Sequence, residues 1–403
     1  MMLKWIIYLG GNSLDVRIIK SIRKNGFKLI LVDRNIKSPC IKNSDIFINQ
    51  DINSRRLIFE EINQKLKSKN IIAILESGEF AIQTAAYLRT KFNIEGLHTK
   101  SLKKYINKIH QKHFFNKFGI KNPSCKLIYL EELLKISFKE VYFPCVVKIP
   151  ESSGGNNVWI CKDNIDFDNS IKDLVSLDYK QKILIEDFID GLEISVSGII
   201  CNNIIHDFNI FEVQRKTGTG QLETGILCNN NFKNKTFTSC YELLLKIAKK
   251  CKFNGGIISA NLILCKDQIY CIEFTSLTSQ LLLNAQELFL NRNMINNFLC
   301  GSKNNNSKLK LNSKSPIFGF KQLFNNDPIF ENHKNINLTK EFLNSFCNKN
   351  FLFIRDLNTE NLNVKQIINL AVIFVFAKDR NELLKEFEKY RAIISDLIES
   401  SFS

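Results

Sequence analysis

The sequence predicts an α/β protein in three parts: a doubly wound parallel sheet over residues 1–98, a central region over 99–300, and a small C-terminal α+β region over 301–403. Three observations lead there. Apolar strand-like runs alternate with amphipathic helical segments through 1–98, the pattern of a parallel sheet with helices on its faces. Between 125 and 300 short strands separated by turns take over. After a polar, low-complexity stretch at 301–314, read as a linker or exposed loop, further strands lead to one long terminal helix. No internal repeat is visible.

In order, KWIIYLGG reads as a buried strand ending in glycines, and SLDVRIIKSIRKNG as an amphipathic helix closed by Gly26. FKLILVD is a second buried strand ending at Asp33, IFINQD a short third and IIAILES a fourth. Helices are expected in SRRLIFEEINQKLKSKN and GEFAIQTAAYLRTKFN. Gly10-Gly11 does not complete G-x-G-x-x-G, so it is read as a tight strand-to-helix turn. Glu76 falls at the carboxyl end of the fourth strand, where α/β sheets place ligand-binding groups. Residues 99–124 read as one basic helical stretch, SLKKYINKIHQKHFFNKFG, ended by Gly119 and Pro123. Near the end of the chain SPIFGF, NFLFIRD and NLAVIFVFAKD read as strands and NELLKEFEKYRAIISDLIES as the final helix.

Composition narrows the function classes. Hydrophobic residues at 44% and charged residues at 24% are ordinary for a globular chain. No run approaches the roughly 18 apolar residues of a membrane span, and the amino terminus lacks a signal-peptide cleavage pattern. The 12 cysteines include no C-x-x-C pair, and several sit inside apolar runs, as free thiols in a cytoplasmic protein do. A net charge of +16 comes with lysines spread along the chain, and no stretch interleaves aromatic and basic residues as RNA-binding modules do. Lys, Asn and Ile are abundant together, which reads as compositional drift. No nucleic-acid or membrane partner is expected.

Four stretches carry chemistry. Asn107-Lys108-x3-Lys112 places two lysines four apart on one helix face, where they meet phosphates or solvent. In FPCVVKIPESSGGNNV, Lys148 ends a buried strand, and Ser153, Gly154, Gly155 and Asn156 follow as a flexible loop whose backbone N–H groups suit phosphate oxygens. In ILIEDFIDGLE, Glu186 enters an apolar hinge with Phe188 and Ile189, a frame for an adenine, and Glu193 suits ribose hydroxyls. In GGIISANLILCKDQIYCIEFTSLTSQ, Asn261 and Glu273 fall on the two strands of a hairpin turning at KDQ, adjacent oxygens suited to Mg²⁺.

Together, in this order, these stretches resemble the ATP-grasp superfamily, especially the branch of carbamoyl-phosphate synthetase large-chain domains and biotin carboxylase. The resemblance implies a pre-ATP-grasp domain at 1–98, an ATP-grasp domain at 99–300 and a C-terminal region at 301–403 closing the grasp. It implies ATP and Mg²⁺ (or Mn²⁺) as cofactors, and ligation of a carboxylate to an amine through an acyl phosphate. Lys108 and Lys148 would contact phosphates, with Lys148 and Glu273 carrying catalysis. Glu186, Phe188 and Ile189 would line the adenine pocket mainly through the backbone, Glu193 would bind the ribose, and Glu273 would be the central metal ligand. The expected partners are small-molecule carboxylate and amine substrates, met by Glu76 and by Arg215-Lys216 in a basic loop, and a second copy in a homodimer.

The chain also departs from the family pattern. Asn261 stands where the family has a first metal-binding Glu, and Asn157 replaces a loop glycine. The family's E-x-N-x-R becomes Glu273-Phe274-Thr275-Ser276-Leu277, so Thr275 replaces an Asn ligand and Leu277 a phosphate-binding Arg. Asn and Thr oxygens still ligate a hard cation. Two readings stay open at this point: an active ligase, and a protein that binds nucleotide with little or no catalysis as a binding or scaffold protein.

Overall fold

The computed structural model describes residues 3–66, 70–133, 141–152, 157–177, 179, 181–215, 223–228, 232, 234–290, 294–299, 317–324, 351–354, 369–377 and 379–400. Strands β1 (Lys4–Leu9), β2 (Lys28–Val32), β3 (Ile46–Ile48) and β4 (Asn70–Glu76) form a wholly parallel sheet in the order β3-β2-β1-β4. Their near-continuous apolar character follows from burial on both sides. Helix α1 (Asp15–Lys24) covers one face with Ile18, Ile19 and Ile22. Helices α2 (Arg55–Lys65) and α3 (Ile82–Phe92) cover the other with Ile58, Ile62, Ala85 and Leu88. The doubly wound expectation holds.

The predicted single basic helix is instead two, α4 (Lys103–Ile106) and α5 (Lys108–Lys117). Asn107 between them is extended (φ −133°, ψ 117°), and its Oδ1 accepts from the N–H groups of Ile109 (2.9 Å) and His110 (3.2 Å). Asparagine competes with helical hydrogen bonding in this way, so it restarts the helix as an N-cap. The restart fixes which residue is first in α5, and that residue is Lys108.

A small antiparallel sheet follows, built from β5 (Cys125–Tyr129), β6 (Cys145–Lys148), β7 (Val158–Cys161) and β8 (Lys182–Asp187) in the order β5-β8-β6-β7. Its accompanying helices are α6 (Leu130–Leu133) and α7 (Asn164–Ser176), the latter filling the core with Phe167 and Leu174. The larger sheet contains β9 (Leu192–Cys201), β10 (Ile204–Arg215), β11 (Glu223–Cys228), β12 (Gly256–Cys265) and β13 (Gln268–Thr275). Helix α8 (Asn234–Cys251) packs on it through Cys240, Leu244, Ile247, Ala248 and Cys251, spaced as one helical face. The loop of the predicted hairpin between β12 and β13 turns at Lys266, whose φ is +54°.

Helices α9 (Gln280–Leu290) and α10 (Met294–Leu299) lead to β14 (Ile317–Phe324), β15 (Phe351–Ile354), β16 (Asn369–Ala377) and α11 (Arg380–Ser400). Among the described residues these last strands make no sheet of their own. They extend the large sheet to β13-β12-β9-β10-β11-β14-β16-β15. Arg380 pins α11 to β10 by a two-pronged pair with buried Glu212 (Nη2–Oε1 2.6 Å, Nε–Oε2 3.1 Å). The predicted linker at 301–314 lies outside the described residues. The described cysteines are free thiols, and no helix among the described residues is long and apolar enough to cross a membrane.

β4 returns to the far side of β1, so the sheet's crevice opens between the carboxyl ends of those two strands. Gly10 turns the chain there at φ +83°. Fully buried Asp15 collects the Tyr8 hydroxyl (2.6 Å), the Asn12 N–H (2.8 Å), the Ser77 hydroxyl (2.7 Å) and the Gln280 amide. Gln280 begins α9, and Asn284 donates to the Leu14 carbonyl (3.1 Å), so this cluster fastens the first sheet to the rest of the molecule. Gly10-Gly11 is therefore a tight turn plugged by a glutamine.

Burial raises the Asp15 carboxyl from 3.8 to about 6, against the hydrogen bonds from Asn12, Tyr8 and Ser77 that lower it. The folded state thus holds this proton more tightly than the unfolded chain does. Its contribution to stability is complete below pH 4 and is lost as pH rises through about 6, a loss on the order of 3 kcal/mol. Asp15→Asn should remove that slope, seen as a gap between wild-type and variant urea midpoints that changes between pH 4 and 6.5. A constant gap would show that Asp15 does not titrate in this window.

Candidate functional site

The site is built where α5 crosses between the small sheet and the hairpin of β12 and β13. Lys148, the last residue of β6, is 3% exposed. Its Nζ lies 2.7 Å from Glu186 Oε2, and Lys112 Nζ of α5 lies 3.0 Å from Glu186 Oε1. One buried carboxylate therefore bridges two buried ammonium groups. The Lys148–Glu186 contact is a charge-assisted hydrogen bond. The Lys112–Glu186 contact is an ion pair without hydrogen-bond alignment. Burial lowers the Lys148 pKa, and Lys112 adds to the lowering, while Glu186 works to raise it.

One helical turn before Lys112, Lys108 reaches the other sheet. Its Nζ is 3.2 Å from Glu273 Oε2 and also donates to the Ser152 carbonyl. Burial acts to lower the Lys108 pKa, but Glu273, helped by Glu79 and Glu186, more than offsets it, so Lys108 stays charged with a raised pKa. Asn261 and Glu273 are directly opposed across β12 and β13, and Asn261 Nδ2 donates to Glu273 Oε1 (3.0 Å). Glu273 keeps about a third of its side chain (34%) exposed. The structure thus brings Lys108, Lys148, Glu186, Asn261 and Glu273 into one constellation, and adds Lys112.

Other expected residues fall at its margins. Phe188 and Ile189 follow β8 and are half-buried, and the Phe188 N–H donates to the Pro144 carbonyl (3.3 Å). Glu193 lies on β9, opposite Ile263 of β12. Glu186 does more than the backbone role expected of it, because its side chain is the bridge between lysines. Glu76 is held in a buried ion pair with Arg89 of α3, a partner that sequence reading missed, and burial raises its carboxyl. Asn157, replacing a glycine, adopts φ +53°, a conformation that asparagine tolerates better than most residues. Arg215 ends β10. Ser153, Gly154, Gly155, Asn156 and Lys216 lie outside the described residues.

The donor set fits one hard divalent cation. Glu273 supplies a partly exposed carboxylate, the Asn261 amide lies beside it, and the Thr275 hydroxyl, two residues along the same strand, is buried without a hydrogen-bond partner. Mg²⁺ is commonly held by one or two carboxylates together with nucleotide phosphates. Among the described residues no cluster of three or more His, Cys, Asp or Glu forms a metal cage, so phosphates would complete the shell.

The small antiparallel sheet and the large one are thus joined through the lysines of α5, one meeting Glu186 and the other the carboxylate hairpin. Residues 106–277 match the family model described as phosphoribosylglycinamide synthetase, ATP-grasp (A) domain. The chain is 26% identical over 196 residues to N5-carboxyaminoimidazole ribonucleotide synthase of Staphylococcus haemolyticus, covering 48% of this chain and 50% of that one. It is 23% identical over 230 residues to phosphoribosylamine–glycine ligase of Fusobacterium nucleatum, covering 53% and 54%. The chain therefore spans about half the length of these curated relatives. Its fold also matches an ADP complex of N5-carboxyaminoimidazole ribonucleotide synthetase (TM-score 0.73, 13% identity, 99% of both chains). It matches an L-amino acid ligase from Bacillus licheniformis equally well (TM-score 0.73, 14% identity, 98% of both chains).

The bridge makes a distinct energetic demand. Glu186→Leu leaves Lys112 and Lys148 buried without their counter-charge and should cost about 3–5 kcal/mol. Lys112→Met keeps the pair between Glu186 and Lys148 and should cost clearly less. Urea unfolding of both variants checks the ordering, and equal losses would contradict a shared carboxylate.

Proposed function

We propose that the chain is an ATP-dependent ligase that joins a carboxylate to an amine, with amino-acid-type substrates, through an acyl phosphate. The observation that carries this reading is the convergence of Lys148, from the small sheet, and Lys108, from α5, on a strip that ends at the Glu273–Asn261 hairpin of the large sheet. Three lysines and two glutamates give that strip one net positive charge before any ligand arrives. A polyphosphate is the complementary partner.

A substrate carboxylate oxygen attacks the γ-phosphorus, and ADP leaves. The amine nitrogen then attacks the acyl carbon, phosphate leaves, and the nitrogen gives up a proton. Lys148 and Lys108 hold phosphate oxygens and offset their charge, while the two jaws exclude water from the acyl phosphate. Glu273, with Asn261 and Thr275 as neutral donors, would hold a divalent cation, which would supply further charge neutralisation. Phe188 and Ile189 frame the base, and Glu193 is placed to take ribose hydroxyls.

The cavity between the first sheet and residues 276–280 bears on the substrate. Its walls include Leu75, Ile257, Leu277, Leu283 and Phe298. Arg89 also lines it, but its guanidinium is committed to Glu76. Tyr8, Glu95, Ser276, Thr278 and Gln280 give it a polar side as well, and with Arg89 paired to Glu76 a sugar phosphate would lack a counter-charge there. The L-amino acid ligase likeness is in keeping with that, at the level of fold.

A second reading, nucleotide binding with little or no turnover, is favoured by Leu277 in place of a cation and by Asn261 and Thr275 in place of stronger metal ligands. Incubating the protein with Mg²⁺, ATP and a pool of amino acids and small carboxylic acids separates the two. Substrate-stimulated ADP and phosphate supports the ligase, and ATP binding without turnover supports the second reading. Lys148→Ala should weaken ATP binding about 10- to 100-fold, the value of a charge-assisted hydrogen bond. Glu273→Gln should abolish Mg²⁺-dependent turnover while leaving the protein folded. Unchanged affinity in the first variant, or full activity in the second, would remove that residue from the mechanism.

A further inference from the structure

Gln111 has no place in the chemistry above, yet it is 3% exposed and its amide is hydrogen-bonded to both Tyr105 and Phe274. It lies on α5 between Lys108 and Lys112. Its Nε2 donates to the Phe274 carbonyl (2.9 Å), and the Phe274 N–H donates to its Oε1 (3.1 Å). Phe274 separates Glu273 from Thr275 on β13, and β13 is the edge strand of the large sheet. The primary amide thus serves that edge as a one-residue strand partner, satisfying two backbone groups that meet no further strand among the described residues.

The placement has a consequence for the site. α5 is bonded to both jaws: Lys108 reaches Glu273 on the large sheet, and Lys112 reaches Glu186 on the small one. Ion pairs between long side chains tolerate sliding, because a lysine has several rotatable bonds and a compact, non-directional head. A paired amide does not, since both hydrogen bonds need the same peptide group in line. Beyond α5, the Cys271 N–H donates to the Lys121 carbonyl (2.8 Å), holding the following segment to the same edge. Within α5 the directional tie to β13 is Gln111, beside a buried aromatic cluster of Phe114, Phe115 and Phe274 that is not directional, while the Lys108 N–H donates to the Pro150 carbonyl (3.2 Å) beyond β6.

We propose that Gln111 is a positioning residue that sets the register of α5 against β13, and so places the Lys108 ammonium at Glu273 where phosphate and cation would meet. The role of that meeting point rests on the ligase reading, whereas the register itself does not. Loss of the amide leaves a buried N–H and C=O of Phe274 unsatisfied, and α5 relieves them by shifting. Lys108 then leaves Glu273, while Lys148, held to Glu186 on the small sheet, stays.

The test is brief acetylation of the ligand-free protein with limiting acetic anhydride, with each lysine read by peptide mass spectrometry. Gln111→Leu should raise the Lys108 rate about tenfold relative to Lys148, the scale of one lost buried hydrogen bond. Gln111→Glu keeps the acceptor for the Phe274 N–H, should fall between, and decides by the same ratio if the leucine variant does not fold. A general loosening would raise Lys108 and Lys148 together, and that result, or an unchanged Lys108 rate, overturns the proposal. ATP titration of the same variants with Mg²⁺ should show about a tenfold loss of affinity in Gln111→Leu. If the unmodified protein binds no ATP, the ligase reading falls, and the labelling ratio still decides the role of Gln111.

Discussion

The buried bridge of Lys112, Glu186 and Lys148 is the constraint on which the site depends. Burying charge is costly unless each group is paired. Here one carboxylate serves two ammonium groups that come from different elements, β6 and α5. Neither lysine can lose the carboxylate without leaving a charge unpaired, so the end of β6 and the middle of α5 stay within reach of one another. The surplus positive charge is what a polyphosphate would meet. Structural demand and proposed binding therefore meet at Lys148.

The second anchoring of α5, at Lys108, Gln111 and the edge of β13, brings the hairpin carboxylate into range. The N-cap at Asn107 matters for this, because it decides where α5 starts and hence which way Lys108 points. At the far side, Asp15 and Gln280 fasten the first sheet through a polar plug in its crevice. That crevice is where open parallel sheets commonly receive ligands. Here it is filled by the protein's own glutamine, which bonds Asp15 and Ser77.

Much of this was legible in the sequence for physical reasons. Runs such as KWIIYL and KLILV have no polar face, which only a sheet covered on both sides explains. The spacing of Asn261 and Glu273 around KDQ fixed a hairpin register that the structure keeps. Lys148 at the end of a buried strand had one exit for its charge. What stayed hidden were the partners, because pairing across the fold leaves no local signature. Nothing near Arg89 points to Glu76, and nothing near Gln111 points to Phe274. The break at Asn107 was available from capping chemistry but was read through as continuous helix. The carboxyl-terminal strands read correctly as strands, while their joining the large sheet depends on edge pairing with β11 that periodicity does not encode.

The most direct measurement is a crystal structure with Mg²⁺ and a non-hydrolysable ATP analogue. The expected result is a triphosphate against Lys108 and Lys148, a cation on Glu273, and the base beside Phe188 and Ile189. Nucleotide bound instead at the Gly10-Gly11 crevice, or absent at saturating concentration, would contradict the grasp as the place of binding.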